Sequence, residues 1–288
     1  MRRLAGILAI ATIAGAARAD VYTYDFGTGA SNYTTASGVS TVFLPQPAPG
    51  NGEDRVRVGT AGGGFYMENP GDGAVGSGSE LKITAPTTTS ANKFSIYDYT
   101  AAKSFSVAMS LKMTGGSSGS FYLFAGDGTQ YSDNTTFTGA QVFTGLEWVY
   151  GASDAVTTRY RNGTGWTAMS GTPFAQNNVY NIEIYGNNTT AAIDYIKGGT
   201  QSLAANTWDL WINGILIGDG LNKAALANDV NIDSFMIYGV SSVGNVASIV
   251  VDDISYANGI TVIPEPGSAG LLVLAGLGFA FRRLRHRK

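Results

Sequence analysis

Glu147 and Glu183 are the carboxylates to weigh for glycan-hydrolysing chemistry, since each sits in a β-rich run. Glycoside hydrolysis needs two carboxyl groups flanking the bond, and on one strand these recur at i+2 or i+4 so that both face the same cleft. Glu147 is followed by Trp148, Val149 and Tyr150, and Glu183 by Ile184 and Tyr185, so neither has such a partner. Asp252 and Asp253 are adjacent and would face opposite sides of a regular strand. The single His, His286, lies two residues from the C-terminus, and Cys is absent. That inventory excludes an internal Ser-His-Asp triad, His-based zinc sites, thiolate nucleophiles and disulfides. The expectation is a protein without catalytic residues, resident metal or cofactor.

Two softer chemistries remain. Asp127, Asp133 and Asn134 lie in the loop GDGTQYSDN, and Asn69 and Asp72 in NPGDG. Loops of this kind supply oxygen ligands to calcium, but neither has the Asp-x-Asp-x-Asp-Gly order, and Asx turns explain them first. Asp252 or Asp253 is read as capping a strand bulge, with an ion at a sandwich edge as the alternative. For sugars, an exposed aromatic ring flanked by amides is the usual receptor. Tyr160 and Trp166, in TTRYRNGTGWTAM, are the aromatics in the most polar context, whereas Trp208 and Trp211 read as packing residues.

The 288 residues carry a net charge of −3, unevenly spread. Arg2, Arg3 and Arg18 lie in the first 19 positions, and Arg282, Arg283, Arg285, Arg287 and Lys288 in the last seven. Residues 20–265 hold ten basic against 21 acidic residues, a net of −11. A body that acidic repels phosphate backbones, which argues against nucleic acid as a partner.

Both ends read as addresses. In MRRLAGILAIATIAGAARA an Arg pair precedes the short apolar run Leu4–Ala14, and Ala17 and Ala19 stand at the −3 and −1 positions of a cleavage site. Residues 1–19 are therefore expected to be a signal peptide, handed to the export translocon and removed. At the other end, Pro264-Glu265-Pro266-Gly267 precedes fourteen uncharged residues, 268–281, and then the basic end 282–288. Fourteen helical residues reach ~21 Å, short of a ~30 Å hydrocarbon core. A helix over about 266–283 with snorkelling arginines closes the gap, and its cations hold the body on the outer side.

This combination of Pro264-Glu265-Pro266, a Gly/Leu/Ala-rich helix and an Arg-rich terminus resembles the PEP-CTERM sorting signal of Gram-negative bacteria. The resemblance covers residues 263–288. It implies recognition and cleavage by an intramembrane exosortase, with the tail a transient single-pass anchor in the inner membrane. It also implies a cell-envelope or extracellular destination, in cells that tend to make exopolysaccharide. The prolines keep the motif extended and unable to complete helical hydrogen bonds, which suits a cleavable segment at a membrane surface.

The elements between the ends have period two. Phe105, Val107, Met109, Leu111 and Met113 alternate with Ser106, Ala108, Ser110 and Lys112, a strand with one wet face, and Tyr180, Ile182 and Ile184 alternate likewise. Further strands are expected at 93–99, 121–125, 146–150, 157–161, 234–238 and 247–256, separated by Gly/Asn/Asp/Ser turns. One short helix is expected over Leu221–Asn228. Asn213-Gly214 between TWDLWI and ILIG is a hairpin signature of the type I′ turn, and Asn162-Gly163 suggests a second hairpin. Residues 20–259 thus form one antiparallel β-sandwich, followed by the tail, 260–288.

The Trp208–Gly218 hairpin and the closing strand Ile249-Val250-Val251-Asp252-Asp253-Ile254 resemble the concanavalin A-like, or laminin G-like, jelly rolls of bacterial surface proteins. The resemblance covers 97–256; Val21–Gly78 is loop-rich and fits it poorly. The expected function is a non-enzymatic exported surface or matrix protein. A lectin-like module for exopolysaccharide is the first alternative and a glycan-degrading enzyme the second.

Overall fold

The computed structural model describes residues 19–69, 75, 76, 78–133 and 137–261. Residues 1–18 of the leader, Ala17 among them, lie outside them, as do residues 262–288 with Pro264, Glu265 and Pro266; Ala19 and residues 260 and 261 are within. Among the described residues no helix is long and apolar enough to cross a membrane.

The strands in chain order begin with β1 (Val21–Tyr24), β2 (Ser31–Tyr33), β3 (Val39–Ser40), β4 (Glu53–Arg57), β5 (Gly64–Glu68), β6 (Glu80–Thr84) and β7 (Asn92–Tyr97). The middle of the chain gives β8 (Ser104–Thr114), β9 (Ser120–Gly126), the single turn of helix α1 (Thr129–Ser132), β10 (Val142–Tyr150), β11 (Val156–Asn162) and β12 (Gly165–Ala168). Then come β13 (Val179–Asn187), β14 (Ile193–Ile196), β15 (Thr200–Leu203), β16 (Thr207–Ile212), β17 (Ile215–Asn222), β18 (Ser234–Val240) and β19 (Ser248–Ala257). One sheet runs β17-β16-β13-β8-β19-β6-β5-β2, with β1 also on β19; the other runs β12-β11-β10-β9-β18-β7-β4-β3. Every pairing in these two sheets is antiparallel. The protein is an all-β antiparallel sandwich, to which the loop-rich segment 21–68 contributes five short strands.

The period-two pattern explains the layers. Phe105, Val107, Met109, Leu111 and Met113 of β8 all lie in the core with Ile182, Ile184, Trp208, Ile249 and Val251 of the same sheet. Phe94, Phe121, Leu123, Leu146, Trp148, Phe235 and Ile237 meet them from the other sheet. Each fully buried large side chain contributes about 1.5–3 kcal/mol of hydrophobic stabilisation.

Three local expectations need correcting. The alternate face of β8 is not wet: Ser106 and Ser110 are buried. The segment after β19 crosses it, with Ser106 Oγ donating to the Gly259 carbonyl at 2.8 Å, and Ser110 Oγ bonds Asn181 Oδ1 at 2.9 Å. The hairpin β14–β15 adds a further cluster on the outside of this sheet, Tyr185, Tyr195, Leu203 and Trp211. Second, Leu221–Asn228 is not a helix. Leu221 pairs with Trp208, and the Ala224 and Leu226 amides donate to the Phe143 and Val142 carbonyls at 2.7 and 2.8 Å. Those tertiary bonds outcompete a segment too short to nucleate a helix. Third, the second hairpin turns one residue later than Asn162-Gly163, because Asn162 still pairs with Gly165 and leaves Gly163-Thr164 as the loop.

The first hairpin turns where expected: Asn213 and Gly214 have φ of 50° and 74°, the positive pair of a type I′ turn. The ladder of β19 shifts register between Asp252 and Ser255, and Asp253 has φ 51°, so Asp252-Asp253 do sit in a bulge. Asp252 is 1% exposed and its Oδ2 has no hydrogen-bond partner. Burial pushes its carboxyl up to about 7; Asp253, Asp25 and Glu80 add to this, while a bond from the Asp253 backbone opposes it.

Candidate functional site

The outward face of the second sheet gathers the chemistry. Cross-strand register places Arg159 opposite Glu147, Glu147 opposite Tyr122, Tyr122 opposite Tyr238, Tyr238 opposite Lys93, and Lys93 opposite Arg57. One row of polar and aromatic side chains thus crosses six strands, roughly 24 Å at ~4.8 Å per step. These residues face outward because their neighbours Tyr160, Leu146, Leu123, Ile237, Phe94 and Val56 face the core.

The rings in this region form a platform. Tyr122 and Tyr238 have centroids 4.7 Å apart, and Trp166 lies 5.6 Å from Tyr122 and 6.0 Å from Phe124. Arg161 sits over both Trp166, at 5.5 Å, and Phe137, at 5.1 Å. Gly145 makes this arrangement fit: a Cβ there would fall 2.9 Å from both the Arg161 Cβ and the Phe124 ring. Helix α1, with Asp133 after it and residues 137 and 138 beside it, lies over the neighbouring row. Lys93 Nζ donates to the Gln130 and Asp133 carbonyls, each at 2.6 Å, and Arg55 donates to the Ser132 carbonyl. The loop is braced by Gln130, whose Oε1 accepts from the Thr138 amide at 2.8 Å. Between loop and sheet lies a cavity of about 400 Å³ lined by Arg57, Ser90, Lys93, Tyr122, Gln130, Phe137 and Tyr238, among others.

The electrostatics follow from burial and neighbours. Burial, then the charges of Arg55 and Arg57, lower Lys93 to about 8, with Asp133 opposing. Burial lowers Arg161 as well. Tyr122 rises to about 12 through burial and its 2.8 Å bond to Glu147 Oε1, and Tyr238 is raised further. Glu147 is 3% exposed at its side chain and its Oε2 lies 2.6 Å from Arg159. Acids collect farther along the same strands, past the helix: burial raises Asp233 to about 6, with Asp127 and Asp98 adding, and Asp98 is raised by burial, Glu53 and Asp127.

The residues singled out from the sequence are dispersed. Trp166 is on this face, but Tyr160 points the other way, edge-on to the core Trp208 at 6.2 Å. Glu147 and Glu183 belong to different sheets; Glu183 accepts from Tyr185 and from Lys197 Nζ, the latter at 2.8 Å. Asn69 Nδ2 donates to the Thr28 carbonyl at 3.3 Å, and Asp127 joins the acidic rim. Asp72 and Asn134 lie outside the described residues. Among those residues no three His, Cys, Asp or Glu side chains are grouped to hold a metal ion, and the buried Asp252 Oδ2 has no hydrogen-bond partner. Arg57, Lys93, Tyr122 and Tyr238 were not anticipated. For Arg57 the signal was the phase of the alternation Arg55-Val56-Arg57, in which the cations take the face opposite the apolar residue.

No family model matches the sequence, and no curated protein matches it. Solved structures with a similar chain path include the cellulose-induced protein Cip1, at 14% identity and TM-score 0.42 over 77% of this chain and 93% of that one. Another is a protein of unknown function with a galectin-like fold from Bacillus subtilis, at 11% identity and TM-score 0.43 over 69% and 89%. Lectin II from Ulex europaeus aligns at 11% identity and TM-score 0.40 over 78% and 100%. Likenesses this distant carry no inference about ligands.

Proposed function

We propose that this chain is an exported, non-enzymatic glycan-binding module with a concanavalin A-like jelly-roll body. The observation that carries the reading is the transverse row from Arg159 to Arg57 with its Tyr122–Tyr238 ring pair beside an open cavity. Sugar C–H groups pack on aromatic faces while hydroxyls need fixed donors and acceptors, and the row sets its two adjacent rings between polar groups on either side. Its length suits several sugar rings in sequence. Glu147 is the sole carboxylate of the row and is held by Tyr122 and Arg159. The second acid that hydrolysis needs is missing from it, which favours holding over cutting.

Delivery follows from the ends. The translocon exports the chain, Ala17 and Ala19 direct signal cleavage, and an exosortase-type protease processes it near Pro264-Glu265-Pro266. The transient inner-membrane anchor thereby gives way to a cell-envelope or extracellular location beside exopolysaccharide. Glycan binding is tested on an array of bacterial polysaccharides with the full chain and Trp166→Ala. Retention at millimolar or tighter dissociation constants, weakened by the substitution, supports the reading; no retained glycan rejects it. Sorting is tested by intact-mass measurement of envelope material, where a retained Arg-rich tail in cells with a working exosortase would reject processing.

A further inference from the structure

Cations are concentrated on this face to a degree that sugar hydroxyls do not require. Residues 20–265 contain only four arginines, Arg55, Arg57, Arg159 and Arg161, and all four lie on strands β4 and β11 of the second sheet. Their alternate positions face outward, since Val56 and Tyr160 between them face the core. Lys93 joins them, 6% exposed, with its ammonium against two loop carbonyls and directly opposite Arg57. Like charges opposite one another on a sheet are destabilising, and a partly buried guanidinium without a counter-ion loses hydration for no return. Among the described residues, Arg159 has a carboxylate within 4 Å, but Arg57, Lys93 and Arg161 have none. The Arg161 Nε is buried without a hydrogen-bond partner. All this stands in a body of net charge −11, four of whose acids, Glu53, Asp98, Asp127 and Asp233, act on one another at the far rim of the same sheet.

We propose that the glycan bound on this face is an anionic polysaccharide, whose carboxylate or sulfate groups are received by Arg57 and Lys93 at the cavity and by Arg161 at the other end of the platform. This rests on the glycan-binding reading above and adds the charge of the ligand to it. Guanidinium offers planar paired donors that match a carboxylate or sulfate, and the ammonium adds a point charge. The rings between the two cationic stations would support the sugar faces linking successive anionic groups. The negative body elsewhere repels the same polymer and so confines it to this groove.

The test uses the full chain and an array pairing anionic polymers with neutral counterparts of the same backbone: polygalacturonate with its methyl ester, alginate with carboxyl-reduced alginate, and chondroitin sulfate with desulfated chondroitin. Titration calorimetry with size-defined oligomers then gives affinities. We expect at least one anionic member to bind tenfold or more tighter than its neutral counterpart, with the sulfated and carboxylated arms showing which anion is preferred. Binding should weaken with added salt. Arg57→Gln, on a partly exposed strand position, should lose about tenfold on the anionic member with no fall in melting temperature, since it relieves the like-charge pair with Lys93, whereas Lys112→Gln on the other sheet should leave affinity unchanged. Equal affinity for charged and neutral counterparts overturns the anionic assignment and leaves glycan binding standing. Absence of binding to every member of this array and of the wider one overturns both.

Discussion

Replacing Asp252 with Asn isolates the cost of one buried charge. The side chain is almost fully enclosed, one carboxylate oxygen lacks a partner, and Asp25, Glu80 and Asp253 surround it with like charge. Its carboxyl titrates near 7 in the fold against 3.8 as an ordinary carboxylate. The folded protein therefore binds the proton more tightly than the unfolded chain does. Stability from this group is complete below about pH 4 and is lost as pH rises through 7. A difference of three units sets a ceiling of about 4 kcal/mol, and relaxation of the bulge lowers the expected loss to about 1–3 kcal/mol. Asn keeps the shape, cannot ionise, and offers an N–H₂ to the neighbouring acids. In EDTA, D252N should exceed the wild type by about 1–3 kcal/mol at pH 8 and match it within about 0.5 kcal/mol at pH 4. Urea unfolding followed by the fluorescence of the buried Trp148, Trp208 and Trp211 reads this directly. If D252N is no more stable at pH 8, the buried charge is not the burden described. Repeating the pH 8 measurement in calcium adds a second readout. A gain in the wild type that D252N lacks would put a cation on the orphaned oxygen.

Other outcomes follow from single contacts. Lys197→Met strands Glu183, 5% exposed at its side chain, and should cost about 3–5 kcal/mol in urea unfolding. Gly145→Val pushes a side chain into Arg161 and Phe124, and should lower stability by about 1–3 kcal/mol while weakening anionic glycans more than neutral ones in calorimetry. Asn213→Ala loses both tolerance of positive φ and the bond from the Asn181 amide to its Oδ1 at 2.8 Å, for about 1–2 kcal/mol in thermal unfolding. Lys93 is faced by Arg55, Arg57 and Asp133 and loses its proton near pH 8. Affinity for an anionic oligosaccharide should therefore fall between pH 7 and 9, and the Lys93→Met variant should be flat over that range.

The sandwich was legible where local rules decide the outcome. Alternation in Phe105–Met113 put the right side chains in the core, and Asn213-Gly214 marked a turn whose backbone requires positive φ at both positions. The same rules fail where distant chain decides. Ser106 looks solvent-facing until residues 259–261 cross over it, Ser110 until Asn181 of the next strand bonds it, and Leu221–Asn228 looks helical until carbonyls of β10 claim its amides. The site was illegible for that reason as well. Arg57, Lys93, Tyr122, Glu147, Arg159 and Tyr238 become neighbours only through the order β4-β7-β18-β9-β10-β11, which pairs strands up to 145 residues apart in the chain. Trp166 could be found from its own surroundings, whereas Tyr160 was separated from it by the face a strand assigns to each successive residue.

The placement of β19 has a mechanical consequence. It lies inside its sheet, held by β8 along one side and by β6 and then β1 along the other, and it is the strand from which the chain leaves toward residue 262. Tension on that exit acts along the strand, so it loads those flanking ladders in shear, many bonds at once, instead of opening them singly. Pull applied between that exit and the opposite sheet would thus meet the tougher direction of the molecule.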